Sequence, residues 1–569
     1  MANSLVVRFS GEQGQGVQSV AAITAQYFAG RGYGVLAVND YASRIAGGYS
    51  YSQIRVSTGP ARSVTKGADI AFAISPAGIA SDLDTLQKGT ALFAEAAKVK
   101  AEHRPAVINV PLSELLDAQE RRGINTFYVG MLLALTNQPL DPLVEMLEKR
   151  FGKKGGDVVA ANVVIARKGY DFAKPMTDLH QDLDVPREVL PTVVKTGSQA
   201  IALGAIAAGV TFHAGYPMAP STAVMNTLAG LSKRYGIVVE QAEDEIAAIN
   251  LAIGASSAGA RAMTATSGGG LALMSEAISL AGVAETPLVI VNVQRPGPAT
   301  GLPTKTAQGD LHMVQYIGHG EFTRAILTPG NAAEAFVAGQ KAFYLAEKYQ
   351  IPVFILSDQH LGDSLWSSDP WKVHPEYQER FLKLESTSAE PAVYPRYSLQ
   401  EGCISPRAIP GFTNDLTLTD SHTHDEFGHI TEDPVLSAAM VHKLIDKRGL
   451  VASDMSLPER FAVEDSTTVL VSFGSCRGVV RDACEALRAT GLSVGHVHFS
   501  EVYPLPEVAV REALGEARLI TIECNATGQF ARLLRGEYGV KADEHVLKYN
   551  GRPFYVDELT AELRGRLTP

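Results

Sequence analysis

The sequence predicts an α/β protein with three doubly wound parallel-sheet domains. Apolar segments of strand length alternate with helix-length apolar-periodic segments over most of the 569 residues. Several apolar segments end in glycine- or serine-rich turns, which is typical of parallel strands that lead into helices. Between the second and third alternating regions, the chain loses this periodicity and gains Pro, Ser, His and Asp.

The first predicted domain covers residues 1–185. It opens with the strand LVVRFS, a glycine loop and the helix SVAAITAQYFAG, and it continues with the strands GVLAVND, DIAFAIS and AVINV. A polar, proline-bearing linker at about 174–191 follows. Strands that alternate with helices predict a parallel sheet here.

The second predicted domain covers residues 192–370, and its strands include GIVVEQ, ARAMTAT, PLVIVNV and PVFILSD. Residues 371–465 form a long structured connection in this interpretation. The third domain covers residues 466–569, with the strands TTVLVSF, SVGHVHF and ARLITIE. No repeat at a fixed period is present, which argues against a solenoid.

Composition excludes several classes of protein. The net charge of −11 is spread along the chain and disfavours nucleic acid as a partner. No apolar stretch reaches membrane-spanning length, and MANSLVVRFSGE lacks the pattern of a signal peptide. The four cysteines form no C-x-x-C pair, which argues against a cluster or structural zinc and favours a reducing cytoplasm.

A glycine loop at residues 11–16 separates the first strand from the first helix. Glycines there let the backbone approach an anionic ligand at a helix N-terminus, so a phosphate-bearing ligand is one interpretation. A tight turn that binds nothing is the other. Asp40 ends the next strand, where a dinucleotide fold has its ribose-binding acid, but the order G-x-x-G-x-G is wrong for that motif.

The acids Glu243, Asp244 and Glu245 open a helix in the second domain. Acids in a first helical turn commonly interact with the helix dipole, and an alternative is that one carboxylate faces a cofactor. The turn TATSGGG follows a strand, where α/β sheets bind ligands, although Ser267 also suits an ordinary helix cap.

Two further segments have a functional and a structural interpretation. Arg295 follows the strand VIVNV and could grip a carboxylate with two parallel hydrogen bonds, or lie on a surface loop. The stretch HTHDEFGH at residues 422–429 has metal-binding residue types, but its spacing matches no known ligand pair. We therefore expect a hydrogen-bonded loop there and no metal site.

Four ordered blocks over some 500 residues resemble the 2-oxoacid:ferredoxin oxidoreductases, and more narrowly the fused γ–α subunit of the 2-oxoglutarate type. The first block is the glycine loop with NDYASRIAGGYSYSQIRV. The second is AGYPMAPST, and the third is AEDEIAAINLAIGASSAGARAMTATSGGG with QRPGPATGLPTKTAQGDL. The fourth is VSFGS with ECNATGQ. The three domains then resemble the family's γ domain, thiamine pyrimidine-binding domain and transketolase C-terminal-like domain.

The resemblance implies two catalytic residues. The family's cofactor-activating glutamate precedes the T-x-T strand by a distance that lands on Glu245, which would hydrogen-bond the aminopyrimidine of thiamine diphosphate. Arg295 would approach the substrate carboxylate. The family's turn YPITPS has a substrate-contacting threonine, where this chain has Ala219. The thiamine diphosphate and substrate positions implied are Tyr216, Pro217, Met218, Ala219, Ser221, Glu245, Ser267 and Gly268.

Coenzyme A is contacted by the γ domain in this family, which replaces the dinucleotide interpretation of the glycine loop. The matching positions are Gly14, Gln15, Ser43, Arg44 and Asn125.

The resemblance also implies a partner. The chain has neither the G-D-G motif that holds magnesium and the diphosphate nor cluster cysteines. In the family these lie on a β subunit, so thiamine diphosphate would be shared, and magnesium and a four-iron four-sulfur cluster would belong to the partner. We expect a dimer of αβ units that passes electrons to ferredoxin.

The expected reaction is the reversible oxidative decarboxylation of 2-oxoglutarate with coenzyme A to succinyl-CoA. One alternative is the same chemistry on pyruvate or a branched-chain 2-oxoacid. Another is a non-catalytic subunit that binds coenzyme A or serves as a scaffold, and a third is an NAD-binding dehydrogenase.

Overall fold

The computed structural model describes residues 4–43, 47–152, 155–186, 188–189, 192–400 and 402–568. These residues form two compact units. The first comprises residues 1–195, 363–370 and 555–569, and the second comprises residues 196–362 and 371–554. The linear division into four domains stays a prediction, and the two short returns of the chain to the first unit were not anticipated.

The strands are numbered along the chain: β1 (Ser4–Glu12), β2 (Gly34–Asp40), β3 (Tyr49–Ser57), β4 (Ile70–Ala73), β5 (Ala91–Ala94), β6 (Ile108–Asn109), β7 (Val193–Thr196), β8 (Phe212–Gly215), β9 (Val238–Gln241), β10 (Ala262–Thr266), β11 (Leu288–Gln294), β12 (Ala325–Leu327), β13 (Pro352–Asp358), β14 (Leu365–Ser368), β15 (Ala392–Val393), β16 (Asp415–Leu416), β17 (Glu459–Phe461), β18 (Thr468–Phe473), β19 (Val494–Phe499), β20 (Glu501–Tyr503), β21 (Arg518–Glu523) and β22 (Glu544–Leu547).

The α-helices are α1 (Val17–Gly30), α2 (Pro76–Thr85), α3 (Leu112–Leu115), α4 (Ile124–Leu135), α5 (Asp141–Phe151), α6 (Gly156–Ala173), α7 (Gly197–Ala207), α8 (Thr222–Tyr235), α9 (Glu245–Ser257), α10 (Gly268–Leu273), α11 (Ser275–Val283), α12 (Leu311–Tyr316), α13 (Ala332–Tyr349), α14 (Gln359–Asp363), α15 (Pro434–Asp454), α16 (Arg477–Ala489), α17 (Glu507–Leu514), α18 (Gln529–Tyr538) and α19 (Val556–Leu567). None of these helices combines the length and apolar character needed to cross a membrane.

The first unit contains an eight-stranded sheet in the order β6-β5-β4-β1-β3-β2-β14-β7. Strands β6, β5, β4 and β1 are parallel, as expected. The expectation of a parallel sheet was wrong for the other half, since β3 pairs antiparallel with both β1 and β2. The connection from β2 to β3 is too short for the helical crossover that parallel neighbours need.

The second unit contains two large parallel-rich sheets, which confirms the α/β fold class. One has seven strands in the order β20-β12-β13-β11-β10-β8-β9, and the other has five in the order β17-β19-β18-β21-β22. The edge strands β20 and β17 pair antiparallel with their neighbours. Strand β20 follows β19 of the five-stranded sheet yet completes the seven-stranded one, so the two sheets are joined through the chain itself.

The segment interpreted as an aperiodic connection contains a long helix, α15. Its buried face carries Lys443 and Lys447, each 2.6 Å from a carboxylate oxygen of Glu285. Because these lysines occupy positions that apolar residues fill in ordinary amphipathic helices, the sequence shows no clear helical pattern there.

Candidate active site

Three adjacent parallel strands of the seven-stranded sheet bring the predicted thiamine-facing segments to one edge. Strands β8, β10 and β11 are neighbours and run in the same direction. Residues 216–221 follow β8, residues 267–270 follow β10, and the segment from Arg295 follows β11. The carboxyl ends of parallel strands meet at one edge, where α/β sheets bind ligands.

The start of helix α9 separates the three neighbouring acids. Asp244 is exposed and caps the helix, since its Oδ1 accepts a hydrogen bond from the backbone N–H of Ala247 at 2.7 Å. Glu243 is exposed. Glu245 is the first helical residue, is only 4% exposed, and its Oε1 has no hydrogen-bond partner among the described residues. Its carboxylate therefore faces the interior at the ligand-binding edge.

Glycines after β10 let two carboxylates pack close to the backbone. A Cβ on Gly270 would lie 2.6 Å from Glu245 Oε1 and would also clash with Thr266 Oγ1. A Cβ on Gly268 would lie 2.5 Å from Asp310 Oδ2. Ser267 has the N-cap position of α10, but its hydroxyl makes no cap hydrogen bond and its buried Oγ lacks a partner among the described residues.

Arg295 links the turn after β8 to the same site. Its Nη1 donates to the backbone carbonyl of Ala219 at 2.6 Å, and its buried Nε has no partner in the described part of the chain. Burial lowers the pKa of Arg295, and the negative charges of Asp310 and Glu245 oppose that shift. The guanidinium remains a cation with an unused donor.

The remaining predicted residues after β8 form the turn itself. Tyr216, Pro217 and Ala219 are exposed and Met218 is half-buried. The hydroxyl of Ser221 donates to the backbone carbonyl of Met218 at 2.7 Å, so this side chain stabilises the turn. The Met218 sulfur lies 3.9 Å from Thr266 Oγ1, which places the turn next to the end of β10.

Two polar residues at this edge were not singled out from the sequence. Asn292 Nδ2 donates to Asp310 Oδ2 at 3.0 Å, and the Asp310 N–H donates to Gln294 Oε1 at 2.9 Å. Burial raises the pKa of Asp310, while the Asn292 hydrogen bond and the Arg295 charge act against that shift. The only local signal for Asn292 is an amide within the apolar strand LVIVNV.

Four buried polar atoms at this edge have no hydrogen-bond partner among the described residues. Besides Glu245 Oε1, Ser267 Oγ and Arg295 Nε, Asn292 Oδ1 has no hydrogen bond among the described residues. An unsatisfied buried polar atom costs roughly 1–3 kcal/mol, and native proteins have few of them. The arrangement fits a polar ligand that supplies the missing partners, and a thiamine diphosphate ring has suitable donors and acceptors.

The glycine loop of the first unit brings together several predicted coenzyme A positions. Gly14 has φ +94° and Gly16 has φ +80°, values that favour glycine. Gln15 Oε1 accepts from the Glu12 N–H at 2.9 Å, and Asn125 Nδ2 donates to the Gln15 carbonyl at 3.2 Å. Asn125 thus contacts the glycine loop directly.

The second segment predicted to contact coenzyme A lies between β2 and β3. Ser43 is exposed, and Arg44 lies outside the described residues. The backbone N–H of Gln13 donates to the Gly48 carbonyl at 3.3 Å, and Ser50 Oγ donates to Gln13 Oε1 at 3.1 Å. The first bond joins the glycine loop to the Gly47-Gly48 turn, and the second joins it to the start of β3.

The histidine-rich stretch forms a loop held by its own hydrogen bonds. Asp425 Oδ1 accepts from the backbone N–H groups of Phe427 and His429, each at 2.9 Å. His424 packs on Tyr397 with ring centroids 4.0 Å apart. Within the described ranges, no group of three or more His, Cys, Asp or Glu side chains is arranged to hold a metal ion.

Comparison with known families covers most of the chain. Residues 6–172 match the family model described as pyruvate ferredoxin/flavodoxin oxidoreductase. Residues 203–442 match pyruvate flavodoxin/ferredoxin oxidoreductase, thiamine diP-binding. Residues 466–559 match pyruvate:ferredoxin oxidoreductase core domain II.

Relatives of known name agree with these matches. The chain is 31% identical to 2-oxoacid:ferredoxin oxidoreductase 2, subunit alpha, of Aeropyrum pernix, over 99% of this chain and 97% of the relative. It is 30% identical to the 2-oxoglutarate oxidoreductase subunit KorA of Mycobacterium tuberculosis, over 79% of this chain and 69% of the relative.

A solved structure is similar over the full length. The 2-oxoglutarate:ferredoxin oxidoreductase from Magnetococcus marinus, with 2-oxoglutarate, coenzyme A and succinyl-CoA bound, gives a TM-score of 0.91 at 32% identity and covers 100% of both chains. The chain therefore belongs to the 2-oxoacid:ferredoxin oxidoreductases, as an alpha subunit of that family.

Proposed function

We propose that this subunit acts in the reversible oxidative decarboxylation of 2-oxoglutarate with coenzyme A to succinyl-CoA, carbon dioxide and reduced ferredoxin. The observation that carries the proposal is the buried carboxylate of Glu245, whose Oε1 lacks a partner among the described residues. It lies beside Gly270 at the sheet edge that also carries Arg295. A carboxylate in this position suits a hydrogen bond to a ring nitrogen of thiamine diphosphate.

The residues around Glu245 fit the cofactor that the matched thiamine-binding family uses. When bound, thiamine diphosphate supplies the carbon nucleophile that attacks the keto group of the substrate. Glu245 would hold a ring nitrogen of this cofactor by a hydrogen bond, and the absence of a Cβ at Gly270 lets the Glu245 carboxylate keep its position. Ser267 Oγ offers a further hydrogen-bonding group.

Arg295 is the residue we assign to the substrate carboxylate. Its Nη1 is held on the Ala219 carbonyl, while its Nε is buried without an acceptor among the described residues. A guanidinium that is held at one nitrogen and unsatisfied at another is oriented to receive a carboxylate oxygen. Met218 and Ala219 line the turn next to it and offer no side-chain hydroxyl.

Support for 2-oxoglutarate over other 2-oxoacids comes from the relatives. The solved structure from Magnetococcus marinus and the relative from Mycobacterium tuberculosis are both named for 2-oxoglutarate. The relative from Aeropyrum pernix is named for 2-oxoacids in general. Pyruvate and branched-chain 2-oxoacids are therefore the alternatives that a substrate comparison must test.

Coenzyme A is assigned to the first unit. The loop carrying Gly14 and Gln15 is supported by Asn125 and joined by hydrogen bonds to the Gly47-Gly48 turn. Backbone N–H groups of a glycine loop before a helix suit a diphosphate. Ser43 and Arg44 complete the proposed set.

A partner subunit completes the enzyme in this proposal. It holds magnesium, the cofactor's diphosphate and a four-iron four-sulfur cluster, since the sequence of this chain has neither the G-D-G motif nor a C-x-x-C pair. Electrons leave one at a time through that cluster to ferredoxin. We propose a dimer of αβ units in the cytoplasm.

Replacing Glu245 with glutamine tests the assignment of the cofactor-activating residue. Gln keeps the size of the side chain but removes the carboxylate, so we expect the complex to assemble and to lose at least about 100-fold in turnover. Glu243→Gln is the matched control, because Glu243 is exposed two residues earlier and should keep wild-type turnover. Near-wild-type rates for Glu245→Gln would contradict the proposal.

A substrate comparison tests the choice of 2-oxoacid. The purified complex is assayed with 2-oxoglutarate, pyruvate and a branched-chain 2-oxoacid, following viologen reduction in the presence of coenzyme A. We expect the highest kcat/KM with 2-oxoglutarate. Equal or higher values with pyruvate would assign the broader activity that the name of the Aeropyrum pernix relative describes.

A further inference from the structure

Gln308 joins the segment after β11 to the five-stranded sheet. It is 1% exposed, and its backbone N–H donates to the Cys524 carbonyl at 2.7 Å. Its Nε2 donates to the Phe473 carbonyl at 3.0 Å. Its Oε1 accepts from the Cys524 N–H at 3.0 Å and from the Cys476 thiol at 3.3 Å. One residue thus engages the carboxyl ends of the neighbouring strands β18 and β21.

Gln529, the first residue of α18, contacts the same segment on both sides of Asp310. Its Nε2 donates to the Gly309 carbonyl at 2.8 Å. Its Oε1 accepts from the His312 N–H at 3.0 Å, and its carbonyl lies 2.9 Å from His312 Nε2. Residues 308–312 are therefore held by the ends of β18 and β21 and by the first residue of α18.

Asp310 connects this anchored segment to the candidate active site. Its carboxylate packs against Gly268 and accepts from Asn292. Its negative charge and that of Glu245 both act on Arg295. The segment from Arg295 to Asp310 has no α-helix or strand, so backbone entropy opposes its order unless other groups hold it.

We propose that Gln308 is a positioning residue that acts through Asp310, and that the five-stranded domain serves as the support for this active-site segment. The identity of the ligands in this proposal rests on the proposed function. The contacts of Gln308 and Gln529 with residues 308–312 do not depend on it. The five-stranded domain contains none of the predicted catalytic residues, and the proposal gives it a supporting role.

Replacing Gln308 with methionine removes the side-chain hydrogen bonds while keeping an unbranched side chain of similar length. In the αβ complex, we expect the KM for 2-oxoglutarate and the dissociation constant for thiamine diphosphate to rise about five- to ten-fold, the size of one net hydrogen bond. Turnover at saturating ligand should stay within about two-fold of wild type, because residues 308–312 can still adopt the bound arrangement.

Gln340→Met is the matched control. Gln340 is equally buried in the same unit, and it accepts from the His374 N–H at 3.0 Å and donates to the Lys372 carbonyl at 3.4 Å. Gln340 lies on α13, and none of the residues it contacts is a predicted site residue. We expect its unfolding temperature to fall by about as much as for Gln308→Met, with unchanged KM and cofactor affinity.

Amide hydrogen exchange provides a readout that does not depend on activity. Residues 303–312 should exchange faster in Gln308→Met than in wild type, and at the wild-type rate in Gln340→Met. If Gln308→Met fails to fold, Gln529→Met is the second variant, because the Gln529 side chain is only half-buried. We expect faster exchange of residues 303–312 in this variant too. Unchanged exchange and ligand affinity in both anchor variants, or equal effects in Gln340→Met, would overturn the inference.

The two proposals fail in different ways. If Glu245→Gln keeps turnover, the proposed function is wrong whatever Gln308→Met does to hydrogen exchange. If Glu245→Gln loses turnover but the anchor variants bind both ligands normally, only the positioning role is wrong.

Discussion

Glu243, Asp244 and Glu245 are adjacent acids, and their different environments arise from the geometry of one helix start. Asp244 caps the helix with an exposed side chain, whereas Glu245 turns its carboxylate inward beside Gly270. Protein interiors have little free volume, so one added Cβ at Gly270 would displace the Glu245 carboxylate.

Gly270→Ala is the sharpest steric test of the site. The added Cβ would lie 2.6 Å from Glu245 Oε1, so the carboxylate must move away from its observed position. We expect the complex to fold and its affinity for thiamine diphosphate to fall at least about 10-fold, measured by calorimetry. Gly269→Ala is the control, since its Cβ would meet only Ala299 O at 3.8 Å. Equal affinities for the two variants would refute this description of the pocket.

Helix α15 is bound to the rest of its unit by buried ion pairs to Glu285. Burial alone would raise the pKa of Glu285, but the cations Lys447, Lys443 and Arg396 overcome this effect and hold its pKa at about 2. The Lys443 and Lys447 ammonium groups each lie 2.6 Å from this carboxylate. Breaking a buried ion pair by removing one partner leaves uncompensated charge, which is strongly destabilising.

We expect Glu285→Gln to lower the free energy of unfolding by about 3–5 kcal/mol, because both lysines lose their counter-charge. Thermal unfolding of the two proteins measures the difference. Glu276→Gln, an exposed acid on α11, is the control and should change stability by less than about 0.5 kcal/mol.

The pH dependence of this difference follows from the lowered pKa of Glu285. Its folded value of about 2 lies below its unfolded value, so the ionised carboxylate contributes fully above roughly pH 4.3 and loses its contribution as pH falls through the folded value. The gap in unfolding temperature between wild type and Glu285→Gln should be constant from about pH 7 to 5 and shrink below that. A gap that widens in acid would contradict this account.

At the scale of the whole molecule, the proposed division of roles depends on which groups this chain does not supply. Cys476, Cys484 and Cys524 are buried, and Cys403 is half-buried. The Cys476 and Cys524 sulfurs lie 3.8 Å apart. The Cys476 thiol donates to Gln308 Oε1, whereas Cys524 bonds Gln308 through its backbone N–H and carbonyl.

We therefore expect the purified chain alone to contain no iron or labile sulfide and to show no 2-oxoacid-dependent viologen reduction. The complex formed with its partner subunit should contain iron and labile sulfide and should reduce viologen with a 2-oxoacid. Iron analysis and an anaerobic assay of each subunit, alone and combined, provide the measurement. Turnover by the isolated chain would contradict the division of roles proposed here.

Much of this protein could be predicted from local pattern. Alternation of strands and helices sufficed for the α/β class, and four ordered motif blocks sufficed for the family. The antiparallel β3 was missed because strand direction depends on which neighbour a segment pairs with. Helix α15 was missed because its buried face carries lysines whose partner, Glu285, lies more than 150 residues earlier.

For the site, the sequence by itself determined the segments that lead to the sheet edge and, through the resemblance, which acid to choose. The tertiary structure decided what surrounds that acid: Gly270 beside it, Asn292 and Asp310 along the same edge, and Gln308 behind them. These contacts join residues distant in sequence, and no local pattern encodes them because packing, burial and hydrogen-bond geometry arise only once the sheets have formed.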